Sequence, residues 1–236
     1  MTKRVAILQS NYVPWKGTFD LIGSVDEFVL YDDVQFTKND WRNRNRIKTE
    51  QGLRWLTIPV RGGGRFGQRI LDVEIADERW GVRHWKTLNQ SYARAPHFER
   101  YREVLAELYL GSRETSLSLV NHAFLTRLCE MLGIHTRISW SHDHPMVAGR
   151  VERLIDLCQR LGASEYLSGP AAKSYLDPVD FERAGISVRW MDYSDYPEYP
   201  QIYPPFVHEV SVLDLLFNTG PDAPRYMRCF SQETPR

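Results

Sequence analysis

Short apolar runs that end in polar or turn-forming residues, separated by stretches of helical periodicity, constrain this chain more than any other feature. Val5-Ala6-Ile7-Leu8 is a continuous apolar run closed by Gln9-Ser10-Asn11, the pattern of a strand buried on both faces. Pro14 and Gly17 then mark a turn, and a short helix begins at Phe19-Asp20-Leu21-Ile22. Glu27-Phe28-Val29-Leu30-Tyr31 follows as a second strand, ending in Asp32-Asp33. Two strands joined by a crossover of this length pair in parallel. Further on, Thr136–Trp140, Tyr166-Leu167 and Ile186–Met191 read as strands, with helices over Val151–Leu161 and Pro178–Ala184 between them. The alternation predicts an α/β fold built on a doubly wound, mostly parallel sheet.

Between the second strand and Thr136 the rhythm changes. Trp55–Val60 reads as a third strand, with Pro59 pushing it towards a sheet edge. The stretch RGGGRFGQR from Arg61 to Arg69, with four glycines in nine positions, predicts a mobile loop. A helical pattern runs from about Trp80 to Leu110, broken at Pro96, and a second covers Ser116–Leu132. Ser116 is the expected N-cap of that second helix and Gly133 its stop. Together they predict a helical insertion at about 76–133, between the third and fourth strands. The expectation is a single α/β domain over 1–230 with a frayed tail at 231–236. A chain of 236 residues buries enough surface to need no metal or disulfide staple.

Charge and cysteine usage narrow the function classes. Thirty basic residues balance thirty acidic ones, so net charge argues for neither nucleic acid nor a membrane as partner. Val5–Leu8 is far too short for a membrane span or a signal-peptide core. Cys129, Cys158 and Cys229 stand in apolar contexts with no CxxC pair, which predicts reduced, buried thiols in a cytoplasmic protein. No HExxH, GxSxG or Walker motif occurs, and His142-Asp143-His144 resembles a ligand set but holds adjacent positions in a loop, which rarely make a metal site without distant partners. Neither a metal nor a cofactor is expected.

In open parallel sheets ligands bind beyond the carboxyl ends of the strands. Those ends carry Gln9, Ser10 and Asn11; Asp32 and Asp33; Ser168, Gly169 and Pro170; and Asp192. A second feature is local charge. Between Lys38 and Arg69 nine basic residues stand against two acidic ones. Within Trp41-Arg42-Asn43-Arg44-Asn45-Arg46 the arginines share one face of an extended backbone. Guanidinium forks bind phosphate and carboxylate, so the segment is a candidate anion site. A solvated basic edge, or arginines paired with Asp32 and Asp33, is the competing reading.

The stretches LQSNYVPWKGTFDLI, VDEFVLYDDVQFTKNDWRNRNRIKT, YLSGPAAKSYLD and PPFVHEVSVLDLLFNTG resemble the WbqC-like family over nearly the whole chain. The resemblance implies a role in bacterial polysaccharide (O-antigen) or specialised-metabolite biosynthesis, with acyl or aminoacyl transfer to an amine as the activity. By position the family pattern falls on Gln9, Asn11, Tyr12, Pro14, Trp15, Gly17, Asp32, Gln35, Trp41, Asn43, Arg44, Lys48, Ser168, Gly169, Tyr175, Asp177, Asp214 and Asn218. Members more usually carry an aromatic residue where this chain has Thr18. The Pro14-x-x-Gly17 turn is also loosely similar to the PxHxGH turn of α/β nucleotidyltransferases, but Lys16 and Thr18 occupy the histidine positions.

The reading this favours is a transferase that forms an amide from a carrier-protein thioester and an amine. Asp32 or Asp33 is then the expected base, with Gln9 and Asn11 in the catalytic set. The backbone amides near Ser168 and Gly169 would be the oxyanion donors, and Arg42, Arg44 and Lys48 the anion clamp. Tyr12, Trp15, Gln35, Trp41, Asn43, Tyr175 and Asp177 complete the expected substrate contacts. The partners implied are a small amine or sugar-nucleotide acceptor and an acidic acyl or peptidyl carrier protein. The alternatives are a nucleotidyltransferase or ATP-dependent ligase with Mg²⁺ on Asp32 or Asp33, and a non-catalytic binding protein of a biosynthetic complex.

Overall fold

The computed structural model describes residues 2–62 and 67–231. The centre of the glycine-rich loop and the terminal tail expected from the sequence therefore lie outside the described residues. Five parallel strands form the main sheet: β1 (Arg4–Leu8), β2 (Glu27–Leu30), β5 (Arg137–Trp140), β6 (Glu165–Ser168) and β7 (Ser187–Trp190), in the spatial order β5-β2-β1-β6-β7. The alternation along each strand sorts its side chains between two cores. Val5, Ile7 and Val29 face a cluster with Leu154, Leu157 and Phe181, contributed by α5 (Arg150–Arg160) and α6 (Pro178–Arg183). Ala6, Phe28 and Leu30 face the larger cluster, which contains α1 (Lys16–Gly23), α2 (Trp80–Tyr92), α3 (Phe98–Gly111), α4 (Leu117–Leu132) and α7 (Val212–Thr219). Both faces are covered, which is why β1 and β2 read as unbroken apolar runs.

The third strand departs from the sequence expectation. β4 (Gly52–Thr57) does not join the main sheet; it pairs antiparallel with β3 (Arg44–Thr49) in a separate hairpin. Its partner is the arginine segment itself, a long-range role that charge pattern alone did not reveal. Gly52 takes φ 105° to close the turn, a conformation that favours glycine. Helices α2 to α4 follow the hairpin and precede β5. In α4 the Ser116 hydroxyl accepts from Leu119 N at 3.4 Å and Gly133 adopts a left-handed conformation at the C-terminus. Helix α7 had no counterpart in the sequence reading. All eight of its residues are buried, Asp214 and Asn218 included, so its polar side meets partners inside the fold rather than solvent.

Candidate active site at the end of the first strand

From β1 the chain runs outward through β2 to β5, then crosses to β6 and β7 on the other side. The switch point therefore lies between β1 and β6. There the ladder stops early: β1 and β6 pair only at Arg4–Glu165 and Val5–Tyr166, whereas β1 and β2 pair as far as Leu8–Leu30. Strands that part in this way open a crevice beyond their carboxyl ends.

The turn leaving β1 is strained and clamped. Val13 has φ 37° and is fully buried, an unfavourable conformation for a β-branched residue. Four hydrogen bonds hold it. Tyr12 N donates to the Trp41 carbonyl at 3.0 Å. The Asn45 amide donates to the Tyr12 and Val13 carbonyls at 3.1 and 3.0 Å, and Val212 N donates to the Pro14 carbonyl at 2.9 Å. Trp15 then folds back over Gly17, where any Cβ would land inside the indole. The same indole meets the rings of Tyr193 and Tyr196 edge-on at 5.2 and 5.8 Å. Tyr193 in turn reaches towards Gly169 at the end of β6, so Trp15 and Tyr193 bridge the crevice.

The arginine segment divides its work. Asn43 and Asn45 face inward, and Asn43 ties the segment to the Ile58 carbonyl at 2.8 Å. Arg42 turns back to β1, donating to Asn11 Oδ1 and, at 3.4 Å, to the Gln9 carbonyl. It also lies 3.6 Å from Asp40. With Oδ1 occupied, Asn11 is left to present its Nδ2 donor. Arg44 and Arg46 do share one strand face, as expected. Their guanidiniums lie 4.3 and 5.6 Å from the ring of Trp55, the residue opposite Arg46 on β4. Neither has an acidic partner among the described residues, and the Nε of each is buried without a hydrogen bond. Among the described residues neither Arg44 nor Arg46 pairs with Asp32 or Asp33, although the Asp32 charge does act on Arg42.

Two adjoining cavities result. The inner one, of about 230 Å³, is lined by Asn11, Pro14, Trp15, Thr18, Trp41, Asn45, Arg46 and Glu209. The outer one, of about 260 Å³, is lined by Asn39, Asp40, Trp41, Arg44, Arg46 and Trp55. Of the residues expected at the site, Asn11, Trp15, Trp41 and Arg44 are brought together here. Arg46, read from the sequence as part of the candidate anion segment, lines both cavities, whereas Glu209 and Trp55 were missed as site residues. Glu209 stands in the closing PPFVHEV stretch, far from any strand end.

Other expected residues are placed elsewhere. Asp32 is fully buried, with one carboxylate oxygen accepting from Ser10 N at 2.7 Å and the other from the Ser118 hydroxyl. Asp33 is also buried and accepts from the Ser141 hydroxyl at 2.6 Å. Both tie strand ends to neighbouring elements, and Asp32 offers no open face for a base or a metal ligand. Tyr12 is fully buried, its hydroxyl shared with His84 Nδ1 at 2.9 Å and Tyr109 at 3.1 Å. Burial pushes His84 down to about 4, so that ring is neutral at neutral pH.

Lys48 is buried and donates to Gln201 Oε1 at 3.0 Å, next to a carboxylate anchor. That anchor is Asp214, which accepts from Tyr92, Tyr199 and Gln201 at 2.7 to 2.9 Å and whose pKa is raised, first of all by burial. Ser168 is buried, its carbonyl accepting from Met191 N at 2.8 Å. Asp177 caps α6 by accepting from Val179 N at 3.0 Å, and Tyr175 lies beneath the Arg150 guanidinium at 3.3 Å. Gln35 is exposed and forms an isolated bridge with Arg69.

Lys16 was noted in the sequence only for the position it occupies. It is buried at the start of α1, donates to the Pro197 carbonyl at 3.0 Å, and lies over the rings of Tyr196 and Tyr199. Burial lowers its pKa to about 8. Among the described residues no three His, Cys, Asp or Glu side chains gather as a metal site, and no helix is long and apolar enough to cross a membrane.

The chain is 50% identical over 226 residues to the uncharacterized protein Rv1507c of Mycobacterium tuberculosis, a match that covers 96% of this chain and 98% of that protein. No solved structure matches it. The profile of the WbqC-like family matches residues 9–226, a span that holds every residue of both cavities, and the chain belongs to the WbqC-like protein family.

Proposed function

We propose that the protein is a group transferase of polysaccharide or specialised-metabolite biosynthesis. In this reading it joins an acyl or aminoacyl group, delivered as a carrier-protein thioester, to an amine. The observation that carries it is the composition of the inner cavity: a carboxylate, Glu209, and a side-chain amide, Asn11, face one space walled by the Trp15 and Trp41 indoles. An ammonium acceptor is unreactive until it loses a proton, and Glu209 is the group placed to take it. The freed amine forms the C–N bond at the thioester carbonyl, and the C–S bond breaks as the thiolate leaves. The carbonyl oxygen gains negative charge on the way, and Asn11 Nδ2, oriented by Arg42 on Oδ1, is the donor that stabilises it. Arg44 and Arg46, with no acidic partner among the described residues, suit a phosphate on one of the two substrates.

The expected base thus moves from Asp32 and Asp33 to Glu209. The nucleotidyl-transfer alternative required one of those aspartates to hold Mg²⁺; Asp32 has both oxygens engaged and Asp33 one. The direct test combines the purified protein, an aminoacylated or acylated carrier protein and an amino-sugar acceptor, with a chelator present throughout. Amide formation above the uncatalysed rate, read by mass spectrometry, is the expected result. A strict requirement for ATP or Mg²⁺ with the activated donor supplied would overturn the reading.

A further inference from the structure

The outer cavity carries more recognition chemistry than a single phosphate needs. Trp41 and Trp55 are 40% and 42% exposed, with ring centroids 5.4 Å apart and planes tilted by 37°. Apolar rings left this open beside a cleft mark a stacking surface. Two guanidiniums border them, neither with an acidic partner among the described residues, and Arg44 gives one N–H to the Asn39 carbonyl. Two guanidinium charges lining one cavity suit a ligand with several acceptor oxygens. Asp40, also in the lining, is already engaged: it accepts from Trp41 N at 2.7 Å and lies 3.6 Å from Arg42. The inner and outer cavities share Trp41 and Arg46, so a ligand seated on the outer shelf extends into the space before Glu209.

We infer that this shelf binds the nucleoside diphosphate of a nucleotide-linked amine acceptor, the base against Trp41 and Trp55 and the diphosphate on Arg44 and Arg46. The inference rests on the transferase reading and assigns the phosphate to the acceptor. The pantetheine arm of a carrier protein has one phosphate and no ring. It would leave a guanidinium unpaired and both indoles in water.

Isothermal titration with uridine diphosphate, adenosine diphosphate, inorganic pyrophosphate and pantetheine 4′-phosphate, with no donor or amine present, separates these sources. Both nucleotides are expected to quench tryptophan fluorescence and to bind about fivefold or more tightly than pyrophosphate, the lower range for one base on an aromatic ring. Trp55→Leu removes that advantage and leaves pyrophosphate binding within about twofold, whereas Arg44→Gln weakens all three. Trp41→Leu gives the same readout should Trp55→Leu unsettle the hairpin. Pyrophosphate binding as tightly as the nucleotides, tighter binding of pantetheine 4′-phosphate, or no binding of either nucleotide would overturn the inference. Nucleotide binding without amide formation upholds the nucleotide shelf while sinking the transferase reading and, with it, the assignment to an amine acceptor. Amide formation by a protein that binds neither nucleotide does the reverse.

Discussion

The side-chain amide of Asn45 donates to the Val13 carbonyl at 3.0 Å, and Val13 is the buried β-branched residue held at φ 37°. A strand of the hairpin therefore holds the strained turn that shapes the inner cavity. The alternation in the arginine segment acquires its meaning here: Asn45 braces the turn and Asn43 ties the segment to Ile58 from inside, while Arg44 and Arg46 line the cavities.

Asn45→Asp keeps the shape but removes the donor and sets a carboxylate against two carbonyls. A stability loss of about 2–3 kcal/mol is expected by urea denaturation, with ligand binding weakened as well. Stability equal to the parent protein would show that the turn does not depend on this clamp.

Gly17→Ala puts a methyl group where the Trp15 indole lies. The helix itself tolerates alanine well, so far-UV circular dichroism is expected to stay unchanged. Trp15 must swing away, and its fluorescence and near-UV signals are expected to change with a loss of transfer activity of about tenfold or more. Unaltered Trp15 signals would disprove the packing argument.

Glu209 and Asp32 separate function from fold. Glu209→Gln is expected to lower transfer by about 10²–10⁴-fold, the usual contribution of a positioned base, with a melting temperature close to that of the parent. Asp32→Asn turns one of the two buried accepting oxygens into an amide donor and is expected to cost about 1–3 kcal/mol of stability. Full activity in Glu209→Gln would return the search for the base to the strand ends.

His84 predicts an acid limb in the stability curve. Its folded pKa of about 4 lies below the ordinary value of 6.5 because burial disfavours the charged ring. Between those values the unfolded chain binds the extra proton, so stability falls as pH drops from about 6.5 to about 4. The contribution amounts to about 3 kcal/mol across the window. His84→Gln is expected to flatten that part of a urea-denaturation series against pH, and an unchanged slope would show that the ring does not titrate in this way.

The strand ends illustrate what local pattern can and cannot say. Gln9, Asn11, Asp32, Asp33 and Ser168 were equivalent in the sequence, each polar and each closing an apolar run. The structure divides them by what lies opposite. Asn11 meets Arg42 and opens on the cavity, whereas Asp32 meets Ser118 of α4 and is sealed in. A residue 86 positions away decides that difference.

By itself the sequence determined the layered α/β plan, because unbroken apolar strands and amphipathic helices can bury their surfaces in few other ways. It also determined that Arg44 and Arg46 would share a face, because side chains alternate along any extended backbone. Only the tertiary structure decided that β3 and β4 form a hairpin apart from the sheet, and that Trp55 stacks under those arginines. It alone brought Glu209, from a stretch with no strand or helix signal, to within one cavity of Asn11. Local propensity acts over a few residues, whereas a site is made by contacts between segments far apart in the chain, chosen by how the whole core packs.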